Sequence, residues 1–207
     1  MFVHLKTKTI YSLLEGAIFA KALADRCNAF KMPAVGIADR ANLFGALEFS
    51  EVLSDNGIQP IIGCQLPINS KEINLKKFSA TDQISMLFLA KNEVGYRNLM
   101  ELSSKFFLND TYRFQGMRIS EIDKYSDGLI CLSGGNESPI NKLLRENKFK
   151  DAENLLLHFK KTFGDRFYFE INRHPLADDY NIKLKLEDTI LELADKHKLP
   201  LVATNDV

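Results

Sequence analysis

An excess of charge of either sign is missing from this chain. Lys plus Arg equals Asp plus Glu, 27 each over 207 residues. No overall field gathers nucleic acid or an anionic membrane, which weighs against this chain as the main DNA-gripping surface. Cysteine is scarce. Cys27, Cys64 and Cys131 lie far apart with no C-x-x-C, a pattern of reduced thiols in a cytosolic protein and not of a disulfide frame or zinc site. Histidine is scarce too: His4, His158, His174 and His197. A hydrolytic cluster of two or three cations needs several imidazoles and carboxylates. His158 and His197 fall on amphipathic helices and read as surface residues, and a lone His174 is a weak ligand set. No apolar run approaches the ~20 residues that span a bilayer, and the N-terminus lacks a charged-then-apolar leader pattern. Internal repeats and low-complexity tracts are absent, which excludes solenoids.

What is present is a globular profile, 45% hydrophobic and 26% charged, suited to one large domain over residues 1–207. Phe2 to Thr7 reads as a first strand. A helix over Ile18 to Phe30 follows, with Phe19, Leu23 and Phe30 on its apolar side, ended by Lys31-Met32-Pro33. The nearly continuous apolar run Ala34 to Asp39 reads as a buried parallel strand. Leu43 to Leu53 is a helix, Pro60 to Gln65 a strand, and Asn69 to Gln83 a polar loop or hairpin. Ile84 to Ala90 is a strand, followed by a helix with Val94, Leu99, Leu102 and Phe106 on its apolar side. Asn109 to Tyr125 has no clean period. Gly128 to Ser133 is a strand ending in Gly134-Gly135. Two helices follow, the second with Ala152, Leu155, Leu156, Phe159 and Phe163 at helical spacing. Phe167 to Ile171 is a strand, Asp179 to His197 a long helix and Leu199 to Thr204 a seventh strand. The fifteen phenylalanines mostly fall at core spacing. The chain stops just past an apolar strand-like run, as expected of a fragment of a longer protein.

Seven strand–helix alternations with right-handed crossovers give a doubly wound sheet or a barrel. In either, reactive groups gather at the carboxyl ends of strands. Those ends carry Lys6 and Lys8, Asp39-Arg40, Gln65, Gly134-Gly135, Arg173-His174 and Asn205-Asp206. Asp39 with Asp206 is an acid–base candidate, but adjacent cations would hold both ionised. Gly134-Gly135 reads as a turn before it reads as a phosphate cradle.

The opening run His4-Leu5-Lys6-Thr7-Lys8-Thr9-Ile10-Tyr11-Ser12-Leu13-Leu14-Glu15-Gly16 resembles the first motif of the polymerase-and-histidinol-phosphatase (PHP) domain of bacterial replicative polymerases. Metal-binding members read roughly His-Leu-His-x-His-Ser-x-Tyr-Ser-Leu-Leu-Asp-Gly there. Ala38-Asp39-Arg40-Ala41-Asn42-Leu43-Phe44-Gly45 is similar to the family's Thr-Asp-His-Gly-Asn-Leu-Phe-Gly. Pro60 to Gln65 is similar to Pro-Ile-Ile-Gly-Cys-Glu, and Leu89 to Leu99 to a Leu-Ala-Lys-Asn-x-x-Gly-Tyr-x-Asn-Leu run. Leu132 to Gly135 and Ala203 to Val207 match two further motifs. Ordered matches of this length are far more specific than one short motif. They imply a distorted seven-stranded (β/α) barrel.

The resemblance implies a ligand ring that this sequence has largely exchanged. Lys6 and Lys8 stand for two histidines, Glu15 for an aspartate, Arg40 for a histidine and Gln65 for a glutamate. The histidine opening the fourth strand falls near Ser85, and a cysteine position is Gly135; Asp206 is retained. Lysine and arginine repel a metal and offer it no lone pair. The expected result is a vestigial pocket, with Lys6, Lys8 and Arg40 paired to Glu15, Asp39 and Asp206 and no metal or cofactor held by this fragment. The family also implies a parent chain that performs DNA-directed DNA synthesis in the cytoplasm, with magnesium at a polymerase site outside this fragment. Its partners would be the rest of the polymerase chain, a proofreading exonuclease subunit and, through the parent chain, DNA. The alternative is a working metal-dependent phosphoesterase or proofreading nuclease domain.

Overall fold

The computed structural model describes residues 2–73, 75, 84–173 and 180–205, for 180–185 the backbone alone. Six strands form one sheet in the order β1-β2-β3-β4-β5-β6. They are β1 (Ala34–Arg40), β2 (Gln59–Pro67), β3 (Ser85–Ala90), β4 (Leu129–Leu132), β5 (Phe167–Ile171) and β6 (Leu201–Ala203). The β1–β2, β4–β5 and β5–β6 pairs are parallel, whereas β3 runs antiparallel to both β2 and β4.

Strand periodicity sorts the side chains onto two faces. One face carries Ala38, Ile61, Leu87, Leu89, Leu132, Ile130, Tyr168 and Val202, so every strand contributes to a single small apolar cluster, which Leu5 joins. Side chains from six strands of an open flat sheet could not share one cluster; the sheet curls into a half-barrel around it. The opposite face packs on helices. Val35 and Ile37 meet Leu23 and Cys27 of α1 (Ala20–Ala29) and Phe49 and Leu53 of α2 (Ala46–Asp55). Leu66, Met86, Phe88, Cys131, Phe167 and Phe169 share a larger core with Leu99 and Leu102 of α3 (Glu93–Leu108). Two short helices follow, α4 (Asp110–Gln115) and α5 (Ile119–Lys124). The same core takes in Ile140 and Leu143 of α6 (Pro139–Arg145), Leu156, Phe159 and Phe163 of α7 (Phe149–Phe163), and Ile190 and Ala194 of α8 (Tyr180–His197).

Three sequence expectations need correction. The expected first strand, Phe2 to Thr7, is not a strand among the described residues, which leaves six strands. The segment lies beside β1, with Gly36 N donating to His4 O at 2.6 Å and Ala38 N to Thr7 O at 2.9 Å. Only Thr7 and Thr9 form bridges, because the chain bends at Leu5 and turns away after Thr9. Gly36 permits this approach, since a Cβ there would lie 2.8 Å from Leu5 O. The aperiodic stretch 109–125 holds α4 and α5. Phe19, Phe30 and Val94 are exposed, and α1 buries Ala20, Leu23, Ala24 and Cys27 instead. Of the described phenylalanines, seven are buried and seven are exposed, so the aromatics are not mainly core. Most of the expected 69–83 loop, His174 and Asp206 lie outside the described residues. Cys27, Cys64 and Cys131 are free thiols, all buried.

Candidate functional site

The mouth of the half-barrel forms where the parallel strands end and β3 begins. Arg40 closes β1 and sits on the same face as Ala38. Its Nε lies 2.6 Å from Glu15 Oε1, and its Nη2 lies 2.9 Å from Glu15 Oε2 and 3.0 Å from Glu137 Oε1. Lys8 Nζ reaches Glu15 Oε2 at 3.0 Å. Glu137 in turn accepts from Ser85 Oγ at 2.5 Å. One guanidinium therefore ties the opening turn to the segment after β4, with the fork geometry that favours carboxylates.

Burial alone would raise the Glu15 carboxyl, but hydrogen bonds from Arg40 and Lys8 outweigh it and hold it below the usual range. Burial likewise opposes ionisation of Glu137, and the Ser85 hydrogen bond with the Arg40 charge reverses the balance. Burial disfavours the Arg40 cation, yet hydrogen bonding to Glu15 and the Glu137 charge raise its pKa further.

Deeper in the barrel, Lys6 Nζ lies 3.6 Å from Glu170 Oε1, with side chains only 2% and 0% exposed. Glu170 also accepts from Gly134 N at 3.0 Å and from the Thr204 hydroxyl. Gln65, the register partner of Arg40, is buried on the same face.

Asp39 does something other than expected. Its neighbour Arg40 faces the mouth, so strand alternation turns Asp39 to the other side. There it accepts from Thr9 N at 2.7 Å, Thr9 Oγ1 at 2.7 Å and Ser12 Oγ at 2.6 Å. It fastens the opening turn to β1. Two carboxylates of the mouth, Glu137 and Glu170, escaped the sequence reading. Glu170 is the one charged residue in Phe167 to Ile171, a signal that was available. Glu137 follows the Gly134-Gly135 turn with no pattern of its own. The helical histidines are engaged elsewhere, His158 with Asp123 at 2.9 Å and His197 with Glu153 at 2.6 Å.

Beside the mouth lies a groove of about 490 Å³, lined by Tyr11, Leu13, Arg40, Phe44, Phe107 and Phe114 among others. Phe44 and Phe107 stack at 5.9 Å. Leu13, Phe44 and Phe114 are 84%, 66% and 73% exposed and form an apolar rim to the groove. Among the described residues, no three of His, Cys, Asp and Glu converge as a metal-binding group. No described helix is long and apolar enough to cross a membrane.

Curled sheet, outer helices and a polar mouth at the strand ends define an α/β half-barrel domain. Its architecture is similar to that of a Bifidobacterium adolescentis protein assigned as a metal-dependent phosphoesterase (TM-score 0.59, 11% identity, 99% of this chain and 86% of the other). It is equally similar to an amidohydrolase from Chromobacterium violaceum solved with bound sulfate and no metal (TM-score 0.59, 12% identity, 99% and 86%). The PHP domain profile matches residues 4–174, and the chain belongs to that family. Its relatives include DNA polymerase III subunit alpha of Caulobacter vibrioides, 43% identical over 207 residues, 100% of this chain and 18% of the relative. The same subunit of Borreliella burgdorferi is 36% identical over 99% of this chain and 18% of its own length. The chain thus spans under a fifth of the relatives it matches.

Proposed function

We propose that this chain is the PHP domain of a DNA polymerase III alpha subunit and that it serves as a scaffold, with cationic side chains standing where metal-binding members hold ligands. The observation that carries the reading is the Arg40 fork across Glu15 and Glu137, with Lys8 on Glu15. A cation cluster needs free lone pairs. Ammonium and guanidinium groups have none to give, and these carboxylates already accept from fixed cations. The donor set present does not fit a di- or trinuclear metal centre. Template-directed synthesis would then reside, with its magnesium, in the part of the polymerase that this chain does not span.

The exposed rim of Leu13, Phe44 and Phe114 supports the scaffold role. The relatives are more than five times longer than this chain, and we assign the rim to the remainder of the polymerase chain. Docking of a proofreading exonuclease subunit is a further part of the proposal. A pull-down with full-length alpha subunit tests it; no exonuclease captured at micromolar protein would remove the docking claim. The competing reading is a working phosphoesterase or nuclease, favoured by the description of the B. adolescentis neighbour. It requires bound zinc or manganese and hydrolysis of a phosphoester, and elemental analysis with a generic phosphoester substrate decides between the two.

A further inference from the structure

We propose that the opening turn and the groove beside it seat one segment of the polymerase chain from outside residues 1–207, an apolar segment whose carboxylate meets Arg113. The inference rests on the reading above, that this domain scaffolds a longer polymerase chain, and it specifies the chemistry of the segment received.

The opening turn holds two leucines out to solvent. Leu13 and Leu14 are 84% and 106% exposed, so Leu14 gains nothing from burial within this domain. Its φ of +66° lies in the left-handed region that leucine rarely adopts. Both flanks of the pair are fixed. Ser12 Oγ donates to Asp39 at 2.6 Å, and Glu15 is gripped by Arg40 and Lys8. Glu15 N and Gly16 N both donate to Ser12 O at 2.9 Å. A strained, apolar, fully exposed residue held in one place by its surroundings points to a role for that residue. An anchor fixed in advance loses little conformational freedom when it docks.

The groove next to Leu13 supplies the other half. Phe44 and Phe114 line it and are mostly exposed. Two polar groups in its walls are unmet. Ser70 is 2% exposed, and its hydroxyl has no hydrogen-bond partner among the described residues. The exposed Arg113 guanidinium forms no ion pair or hydrogen bond among them either. Glu15 is the one carboxylate among the described lining residues, and it is committed to Arg40 and Lys8. The groove therefore has no free anion of its own, and Arg113 suits a carboxylate brought from outside. The Ser70 hydroxyl suits a main-chain group of the same guest.

Three features select a segment of the same chain. The relatives are more than five times longer than this chain, so most of the polymerase lies outside it. A groove of about 490 Å³ takes a few side chains, a smaller contact than the ~800 Å² per partner that separate proteins bury. Tethering makes a small contact sufficient, because it raises the effective concentration to about millimolar. A second copy fails on charge: across a two-fold axis it would bring another Arg113 to the same patch, with Glu15 already taken.

The test places the photoreactive residue p-benzoylphenylalanine at position 114 of the full-length alpha subunit, with the exonuclease subunit present, and maps cross-linked peptides by mass spectrometry. The expected product is a cross-link within one chain, to a segment beyond residue 207 that holds apolar residues and an Asp or Glu. A cross-link to a second copy, to the exonuclease subunit or to a segment without a carboxylate overturns the proposal, as does the absence of any cross-link. Arg113→Glu should lower the cross-link yield about threefold or more. Exchanging the mapped carboxylate for arginine in that variant should restore it. Leu14→Asn removes the anchor while suiting the left-handed backbone, so the turn is kept and the yield should fall as well. An unchanged yield in either variant overturns the proposal. Metal content of the same preparations separates the two levels. Stoichiometric zinc or manganese overturns the scaffold reading itself, whereas a metal-free protein without the expected cross-link overturns this docking alone.

Discussion

Lys6 and Glu170 face each other inside the half-barrel at 3.6 Å, one from the opening segment beside β1 and the other from β5 across the sheet. Curvature of the sheet is what lets them meet. Both side chains are buried, so each charge depends on compensation from its surroundings. Removing one member of a buried pair costs about 3–5 kcal/mol, while replacing both by uncharged groups costs far less. Glu170→Gln alone should therefore lower the urea midpoint strongly. Lys6→Met combined with Glu170→Gln should recover much of the loss, as a double-mutant cycle of urea unfolding would show.

Arg40 is the second hinge of the account. Arg40→Ala leaves Glu15 and Glu137 partly buried without their shared donor, an expected loss of about 1–3 kcal/mol. Arg40→Lys keeps the charge but cannot make the fork, and should recover less than half of that loss. Equal stability of the lysine variant and the wild type would show that charge alone, without geometry, holds the mouth together.

Acid should act through the same carboxylates. Glu15 and Glu137 both titrate below the ordinary Glu value of 4.5 in the folded chain, burial being outweighed by Arg40 with Lys8 and by Ser85 with Arg40 respectively. With folded pKa values depressed, the unfolded chain binds protons first as pH falls. Their stabilisation is complete above the unfolded value and is lost as pH falls through the folded ones. Unfolding midpoints should be flat near neutrality and drop below about pH 4.5. The drop should be shallower in Arg40→Ala, which has less to lose.

The backbone at Gly134 is equally specific. It adopts φ +102, and a Cβ there would lie 2.2 Å from Ser85 O. Its N–H also holds Glu170. Gly134→Ala combines backbone strain of about 1–3 kcal/mol with a displaced turn. Reduced yield or a lowered thermal midpoint is expected, and a variant as stable as wild type would show the turn to be tolerant.

The sequence made some of this legible and hid the rest for physical reasons. Apolar runs such as Ala34 to Ala38 exposed the buried strands, because a strand covered on both faces has no polar positions to alternate. Motif positions placed Lys6, Lys8, Glu15, Arg40 and Gln65 near one another, and strand ends explain why. Alternation could have separated Asp39 from Arg40, since adjacent strand residues face opposite sides, but both were read as one polar end. Glu137 and Glu170 become part of the mouth only through the curl of the sheet, which pairs positions far apart in the chain and leaves no local mark. The antiparallel course of β3 left no trace in its apolar run either. Phe44 and Phe107 fall in or beside apolar helical runs yet are exposed, and periodicity does not say which apolar side chains the fold leaves uncovered.

The central claim, that ammonium and guanidinium groups hold the seats a metal cluster would need, is tested most directly by metal analysis. Full-length protein is equilibrated with zinc or manganese and freed of excess by gel filtration. It is then compared with a variant carrying Lys6→His, Lys8→His, Arg40→His and Gln65→Glu. The account predicts no zinc or manganese attributable to the mouth of the native chain, and a gain only when the ligand-type residues are put in. Stoichiometric metal in the native chain, lost on substituting Glu15 or Glu137, would contradict it.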